Sequence, residues 1–210
     1  MKRWITVLVS LVAIATGAAA QQNLVPNGDF SDKTDPLKGW RYVYPHMQQV
    51  YGDNQKYIRI GKHEGKRCVE FALTPAIANN QGAMIETAFI KVEAGATYQF
   101  EVDCCPNNLE LKIFVEAWAP LPAEIKVQPR LRIWPAENGQ PMLIVCDRKH
   151  IPAEGKKWLT VRDTYTVPKI VNVAGTDEPP EYLSIKVFAC HSYAAQSKAY
   201  ATNFRLIRTR

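Results

Sequence analysis

Apolar side chains alternate with aromatic and charged ones over residues 109–118. Successive side chains of a strand point to opposite faces of a sheet. An extended segment here would place Phe114, Glu116 and Trp118 together, opposite a face of leucine, isoleucine and valine. Aromatic rings stack on flat apolar surfaces, and carboxylates accept hydrogen bonds from hydroxyl groups. A sugar offers both an apolar C–H face and hydroxyls, so these residues are a candidate sugar-binding set.

A similar alternation occurs in residues 130–134, where Arg132 and Trp134 face away from Leu131 and Ile133. This segment belongs to a proline-rich stretch, and long loops of this kind often carry the specificity of a β-sandwich. The candidate sugar-binding residues are Trp118, Glu116, Trp134, Arg132, Phe114 and Tyr44. The alternative for the two tryptophans is a role in packing. Arg132 and the net charge of +6 favour an acidic or mixed polysaccharide.

The sequence contains no common enzyme motif. Gly-x-Ser-x-Gly, His-Glu-x-x-His, Walker and Gly-x-Gly-x-x-Gly patterns are all absent. The glutamates are scattered, and no pair among them has a spacing that indicates glycoside hydrolysis. Among the four histidines only His191 has a neighbouring soft ligand, Cys190. Adjacent strand residues face opposite ways, so these two are not expected to share a metal ion. We therefore expect no catalytic residue, no metal site and no enzymatic activity.

Residues 1–20 have the pattern of a signal peptide. Lys2 and Arg3 precede an apolar stretch over residues 5–15, and Ala18-Ala19-Ala20 supplies the small residues of a cleavage site. The stretch is shorter than the ~20 residues that a membrane helix needs, although an uncleaved anchor is the alternative. We therefore expect export to the periplasm, the cell surface or the medium, with no membrane span after cleavage. The basic residues form no run of five, which argues against a nucleic-acid partner.

The elements that would position these side chains are short strands, since no 12-residue window after residue 20 has a helical apolar period. Gly, Pro, Asn and Asp clusters separate segments rich in valine, isoleucine, tyrosine and phenylalanine. The predicted strands are 41–44, 57–60, 67–72, 83–92, 97–104, 109–118, 131–134, 142–146, 158–167, 182–191 and 199–208. This pattern predicts one all-β domain over residues 21–210, an antiparallel sandwich or barrel.

The chain has five cysteines. An exported protein meets an oxidising compartment, so one or two disulfides are expected. The odd number leaves at least one thiol free within the chain. Cys104 and Cys105 are adjacent on a predicted strand and point to opposite faces, so they are not expected to pair with each other.

Four segments resemble the galactose-binding-like jelly rolls, which include the carbohydrate-binding modules attached to cellulases and xylanases. Asn23-Leu24-Val25-Pro26-Asn27-Gly28-Asp29-Phe30 followed by Gly39-Trp40 is similar to the opening of that family. Residues 90–100, 158–168 and 200–206 are similar to its central hairpin, its late strand and its closing strand. The resemblance implies an antiparallel jelly-roll β-sandwich that binds carbohydrate, with Trp40 and Trp158 in its core.

The same resemblance raises the question of a structural calcium ion, which such jelly rolls often hold. The positions of two usual acidic ligands are occupied here by Ser31 and Thr202. Calcium prefers several oxygen ligands, above all carboxylates, although Asp29, Asp32 and Asp35 could substitute for them. We therefore expect no cofactor, with a structural calcium as the alternative.

The sequence thus predicts a secreted, non-catalytic carbohydrate-binding β-sandwich whose partner is a polysaccharide or another glycan. The alternative is a structural or adhesive envelope protein that uses the same fold for contacts with other proteins. If the ring of Trp118 is exposed and stacks on sugar, its replacement by alanine weakens binding about tenfold or more, with little change in stability.

Overall fold

A computed structural model describes residues 22–42, 55–119, 142–173 and 176–209. The predicted signal peptide, the predicted strand 131–134 and the candidate residues Tyr44, Arg132 and Trp134 lie outside these ranges.

Two antiparallel sheets make up the described fold. In chain order the strands are β1 (Trp40–Tyr42), β2 (Ile58–His63), β3 (Lys66–Leu73), β4 (Ala83–Thr87), β5 (Ile90–Lys91), β6 (Thr97–Asn107), β7 (Leu109–Ala119), β8 (Met142–Ile151), β9 (Leu159–Thr166), β10 (Val171–Val173), β11 (Thr176–Glu178), β12 (Tyr182–Ser192) and β13 (Ser197–Arg208). Sheet I has the order β1-β4-β12-β7-β8, with β5 also paired to β12, and sheet II has the order β2-β3-β13-β6-β9. Strands β10 and β11 form a separate ribbon. The predicted jelly-roll β-sandwich is confirmed.

The core lies between the two sheets and follows the alternation of the sequence. In β7, Leu111, Ile113 and Val115 are buried in it, as the pattern predicts for a half-buried strand. Trp40 is also a core residue, since its ring lies 5.3 Å from that of Phe30 and its indole N–H donates to a backbone carbonyl.

Trp158 departs from the core position that the resemblance implies. It is half-buried and packs on the outer face of sheet II, against Cys68, Cys105 and Tyr200. The ammonium group of Lys66 lies 4.8 Å from the centre of its ring. Trp158 directly precedes β9, and its contacts place its side chain over the neighbouring strands of sheet II rather than between the sheets.

Several local features were not predicted, among them a 3-10 turn (Gln55–Tyr57) and the strands β10 and β11. Another is a short helix, α1 (Pro75–Asn80), which is capped by Thr74, whose side chain accepts a hydrogen bond from the Ile77 amide. Six residues are too few for a helical apolar period, so only the Thr-Pro start signal was available. The predicted strand 83–92 is divided into β4 and β5. Among the described residues, no helix is long and apolar enough to cross a membrane.

The prediction of disulfides is wrong. Cys68, Cys104, Cys105 and Cys190 are free thiols, and the side chain of Cys146 lies outside the described part of the chain. The fold separates Cys104, which lies in the core, from Cys68 and Cys105, which share one cluster with Tyr200 on the outer face of sheet II. Cys104 and Cys105 do point to opposite faces, as predicted.

The expected separation of Cys190 and His191 is also wrong. The pairing of β12 with β7 shifts between Cys190 and Ser192, so His191 occupies a β-bulge with φ of +48°. A bulge interrupts the strict alternation of side chains. The potential metal-ligating atoms of Cys190, His191 and Glu110 consequently all lie within 4.8 Å of one another.

Candidate functional site

The candidate site lies on the outer face of sheet I. Alternation along β7 places Phe114, Glu116 and Trp118 on this face, opposite the core residues of the same strand. The neighbouring strand β12 brings Ser184 beside Glu116 and Lys186 beside Phe114. The three residues predicted to share a face therefore do share one.

Trp118 belongs to a buried chain of hydrogen bonds on this face. Its indole N–H donates to the Ser184 hydroxyl at 2.9 Å, and that hydroxyl donates to the Glu86 carboxylate at 2.8 Å. The guanidinium group of Arg41 donates to the other oxygen of Glu86 at 2.6 Å. Since Glu86 is fully buried, this ion pair offsets the cost of removing its charge from water.

Of the two alternatives for Trp118, the structure favours packing over an exposed stacking ring, because Trp118 is only 2% exposed. The ring of Phe89 packs edge-on against it, with the ring centres 5.2 Å apart. Phe89 in turn lies 5.8 Å from the ring of Tyr182. The indole therefore forms part of the base of this face, and the half-buried ring of Phe114 is the more accessible of the two.

Glu116 forms a close ion pair with Lys186. The Lys186 ammonium group donates to both carboxylate oxygens at 2.8 Å, and the two side chains are only 5% and 11% exposed. Hydrogen bonds between charged partners are stronger than neutral ones. This pair therefore fixes a carboxylate and an ammonium group next to the ring of Phe114.

The charges of Arg41 and Glu86 on this face affect each other. Burial lowers the pKa of the Arg41 guanidinium, while the nearby Glu86 carboxylate counteracts that effect. Arginine retains its proton in proteins. The face thus combines fixed charges with aromatic rings, which suits it to ligands that have hydroxyl groups around an apolar surface.

Sequence reasoning missed the polar partners Glu86, Ser184 and Lys186. The sequence does contain a signal for Ser184 and Lys186. In residues 182–188, Leu183, Ile185 and Val187 enter the core, and the residues between them face outward. Placing them beside β7 requires the strand order, which alternation alone does not provide.

The aspartates considered as calcium ligands serve the loop itself. Asp29 accepts a hydrogen bond from the backbone amide of Ser31, Asp32 from those of Thr34 and Asp35, and Asp35 from that of Leu37. In the described ranges, no group of three potential metal ligands within 4.8 Å of one another includes any of these aspartates. The expected absence of a cofactor, with a structural calcium as the alternative, stays a prediction.

The chain matches no protein-family profile and no curated protein sequence. Solved structures of similar fold include a CBM4 carbohydrate-binding module, with 13% identity and a TM-score of 0.51 over 88% of this chain and 99% of that one. The module TmCBM61, in complex with β-1,4-galactotriose, has 13% identity and a TM-score of 0.50 over 90% and 99% of the two chains.

A cyclase from Fischerella sp. TAU is similar to the same degree, with 12% identity and a TM-score of 0.53 over 88% of this chain and 95% of that chain. At such low identity these likenesses establish a shared fold. One fold supports many functions, so the function has to be argued from the side chains of the site.

Proposed function

We propose that this protein is an exported, non-catalytic carbohydrate-binding module that holds a polysaccharide or oligosaccharide on the outer face of sheet I. The observation that carries the proposal is the half-buried ring of Phe114 beside the Glu116–Lys186 ion pair, on the same strand face as the buried indole of Trp118. The complex of TmCBM61, a protein of the same fold, with β-1,4-galactotriose supports a sugar as the ligand class.

Each side chain has a distinct role in the proposed site. Phe114 stacks on the apolar face of a sugar ring, and Glu116 and Lys186 exchange hydrogen bonds with its hydroxyl groups. Trp118 supports the base of the site through its bond to Ser184. The remaining candidate residues, Tyr44, Arg132 and Trp134, are proposed to contribute further rings and a positive charge.

An acidic or mixed polysaccharide is the proposed ligand. The chain carries 26 lysines and arginines against 20 aspartates and glutamates, and Arg132 is among the candidate residues. Attraction between exposed charges is screened by salt. Binding should therefore weaken as the salt concentration rises.

The test is a screen of the purified protein against a glycan array and insoluble polysaccharides, followed by affinity measurements on Phe114→Ala. Stacking on an aromatic side chain contributes about 1–3 kcal/mol, so the variant should bind about tenfold more weakly. Ile170→Ala, which alters an exposed side chain outside sheet I, should bind like the wild type. The bound polysaccharide should release no reducing sugar during incubation.

If the wild type binds no glycan in this screen, the proposal is wrong. Binding that Phe114→Ala and Ile170→Ala weaken equally would reject the assigned face. Release of sugar from the polysaccharide would replace the non-catalytic role with an enzymatic one. Retention of envelope proteins instead of glycans would favour the adhesive alternative.

A further inference from the structure

A second polar cluster lies on the outer face of sheet I, at the opposite end of β7 from Trp118. Glu110 is the first residue of β7 on this face. It lies six positions before Glu116, and six residues span about 20 Å along a strand. The neighbouring strands contribute Cys190, which pairs with Glu110 in the register of β12, and His150 from β8.

Four potential metal ligands meet in this cluster. The Oε2 atom of Glu110 lies 2.9 Å from Nδ1 of His191 and 3.0 Å from Nε2 of His150. The ligand atoms of Glu110, Cys190 and His191 lie within 4.8 Å of one another. The other carboxylate oxygen of Glu110 accepts a hydrogen bond from the hydroxyl of Tyr193 at 3.0 Å, which fixes the orientation of the carboxylate.

The backbone at His191 is specialised for this arrangement. Its φ of +48° lies in the left-handed region, which is uncommon for residues other than glycine. Such conformations cost free energy and are concentrated at functional sites. Without the bulge, alternation would point the imidazole away from Cys190.

The cluster is buried on one side and open on the other. Cys190 and Glu110 are 2% and 8% exposed, whereas both histidines are exposed. A cavity of about 370 Å³ is lined by Glu110, Lys112, His150, His191 and Tyr193. The cavity gives an ion access from solvent to Glu110 and both imidazoles. Cys190 does not line it, but its sulfur lies within 4.8 Å of the ligand atoms of Glu110 and His191.

We propose that Glu110, His150, Cys190 and His191 bind a divalent transition-metal ion of the zinc class. Thiolate, imidazole and carboxylate groups are the usual zinc ligands, and four of them complete a tetrahedral shell. Calcium and magnesium select oxygen ligands and would not be expected here.

Coordination by all four residues requires His150, which lies outside the group of ligand atoms within 4.8 Å of one another, to move towards the other ligands, together with smaller adjustments at Glu110 and His191. Zinc–nitrogen and zinc–sulfur bonds of about 2.0–2.3 Å place tetrahedral ligand atoms about 3.3–3.8 Å apart. The two contacts between Glu110 and the histidines would lengthen by about half an ångström as hydrogen bonds give way to coordination. The thiol of Cys190 gives its proton to solvent, and both imidazoles bind in their neutral form.

Two ligands of the cluster supply negative charge for a dication, whereas Lys112 in the cavity lining contributes one opposing positive charge. A bound ion would neutralise the carboxylate of Glu110 and the thiolate of Cys190 together. Tyr193 holds Glu110 and would act as a supporting group around the ligands. This site does not depend on glycan binding, since it shares no residue with the proposed sugar site.

The experiment uses untagged protein from which a chelator has removed bound metal. Its cysteines are kept reduced with a reductant that contains no thiol, so that the reductant does not bind the added metal. Zinc is added in competition with a chromogenic chelator, and cobalt is added to report ligand type by absorption. The proposal predicts one zinc equivalent retained, with a cobalt spectrum that has strong tetrahedral visible bands and a thiolate charge-transfer band in the near ultraviolet.

Two variants and a matched control locate the site. Cys190→Ser should remove the near-ultraviolet band. His191→Asn, which keeps a residue that tolerates positive φ, should weaken zinc binding by about tenfold or more. His63→Asn is the control, because His63 lies 3.7 Å from the sulfur of Cys105 on sheet II without this set of ligands.

Failure to retain zinc would overturn the proposal, as would cobalt binding without the thiolate band. Equal weakening by His191→Asn and His63→Asn would show that the metal binds elsewhere, and so would also reject the site. If Cys190→Ser does not fold, the wild-type cobalt spectrum and His191→Asn decide the question. Failure of the metal proposal would not bear on the proposed sugar site, which the glycan screen tests separately.

Discussion

At the scale of single residues, Trp118 shows how one side chain connects the fold to the proposed site. Its ring is buried on the outer face of sheet I, outside the core between the sheets. Its N–H begins the hydrogen-bonded chain that runs through Ser184 to Glu86 and Arg41. Removing the ring would therefore create a cavity and leave the hydroxyl of Ser184 without one of its donors.

We predict that Trp118→Ala lowers the free energy of unfolding by about 3–5 kcal/mol, the usual cost of truncating a buried tryptophan. Denaturant unfolding at constant temperature measures this change. Trp158→Ala is the matched control and should cost less, since Trp158 is half-buried whereas Trp118 is buried. Equal losses in the two variants would contradict the burial described for Trp118.

The free thiols provide a second prediction at this scale. Burial raises the pKa of Cys68 to about 11 and also raises the pKa of Cys104, so both should react slowly in the native protein. After denaturation without reductant, at least four thiols per chain should react with a chromogenic reagent. Fewer than four in protein purified from an oxidising compartment would show that disulfides form there after all.

At the scale of elements, an ion-paired cluster joins three strands of sheet II. Glu70 on β3 receives hydrogen bonds from Arg59 on β2 and contacts Lys198 on β13. Burial by itself raises the pKa of Glu70, but the two cations outweigh burial and lower the pKa below its ordinary value. The carboxylate thus binds its proton less readily in the folded protein than in the unfolded one.

A group with a lowered folded pKa stabilises the fold above its unfolded pKa, which is about 4.3 for glutamate. This stabilisation should disappear as the pH falls from there through the folded pKa. Glu70→Gln should therefore flatten the dependence of unfolding free energy on pH in the acid range. Glu93→Gln, at an exposed ion pair with Arg208, should leave it nearly unchanged. Identical acid profiles for wild type and Glu70→Gln would refute this account.

Much of this organisation could be predicted from the sequence, because one face of each main strand is buried. Alternation correctly divides residues 97–104 and 109–118 into core and outer faces. It fails at His191, since a bulge depends on how β12 pairs with β7 rather than on local residue types. It also leaves out Glu86 and Ser184, whose place beside Trp118 follows from the strand order.

At the scale of the whole molecule, sheet I serves two purposes. Its inner face closes the core against sheet II, and its outer face carries polar and aromatic side chains along the length of β7. The proposed sugar site occupies the end near Trp118, and the proposed metal site occupies the end near Glu110. Rigid strands hold side chains more firmly than loops do, which suits both kinds of site.

The most direct test of the central claim is calorimetric titration of the glycan found in the screen into wild type, Phe114→Ala and Trp158→Ala. The two substitutions remove half-buried rings from the outer faces of sheet I and sheet II, respectively. If sugar binds on sheet I, Phe114→Ala loses about tenfold in affinity, while Trp158→Ala keeps the wild-type affinity. Loss of affinity in Trp158→Ala alone would place the ligand on the opposite sheet and contradict the account.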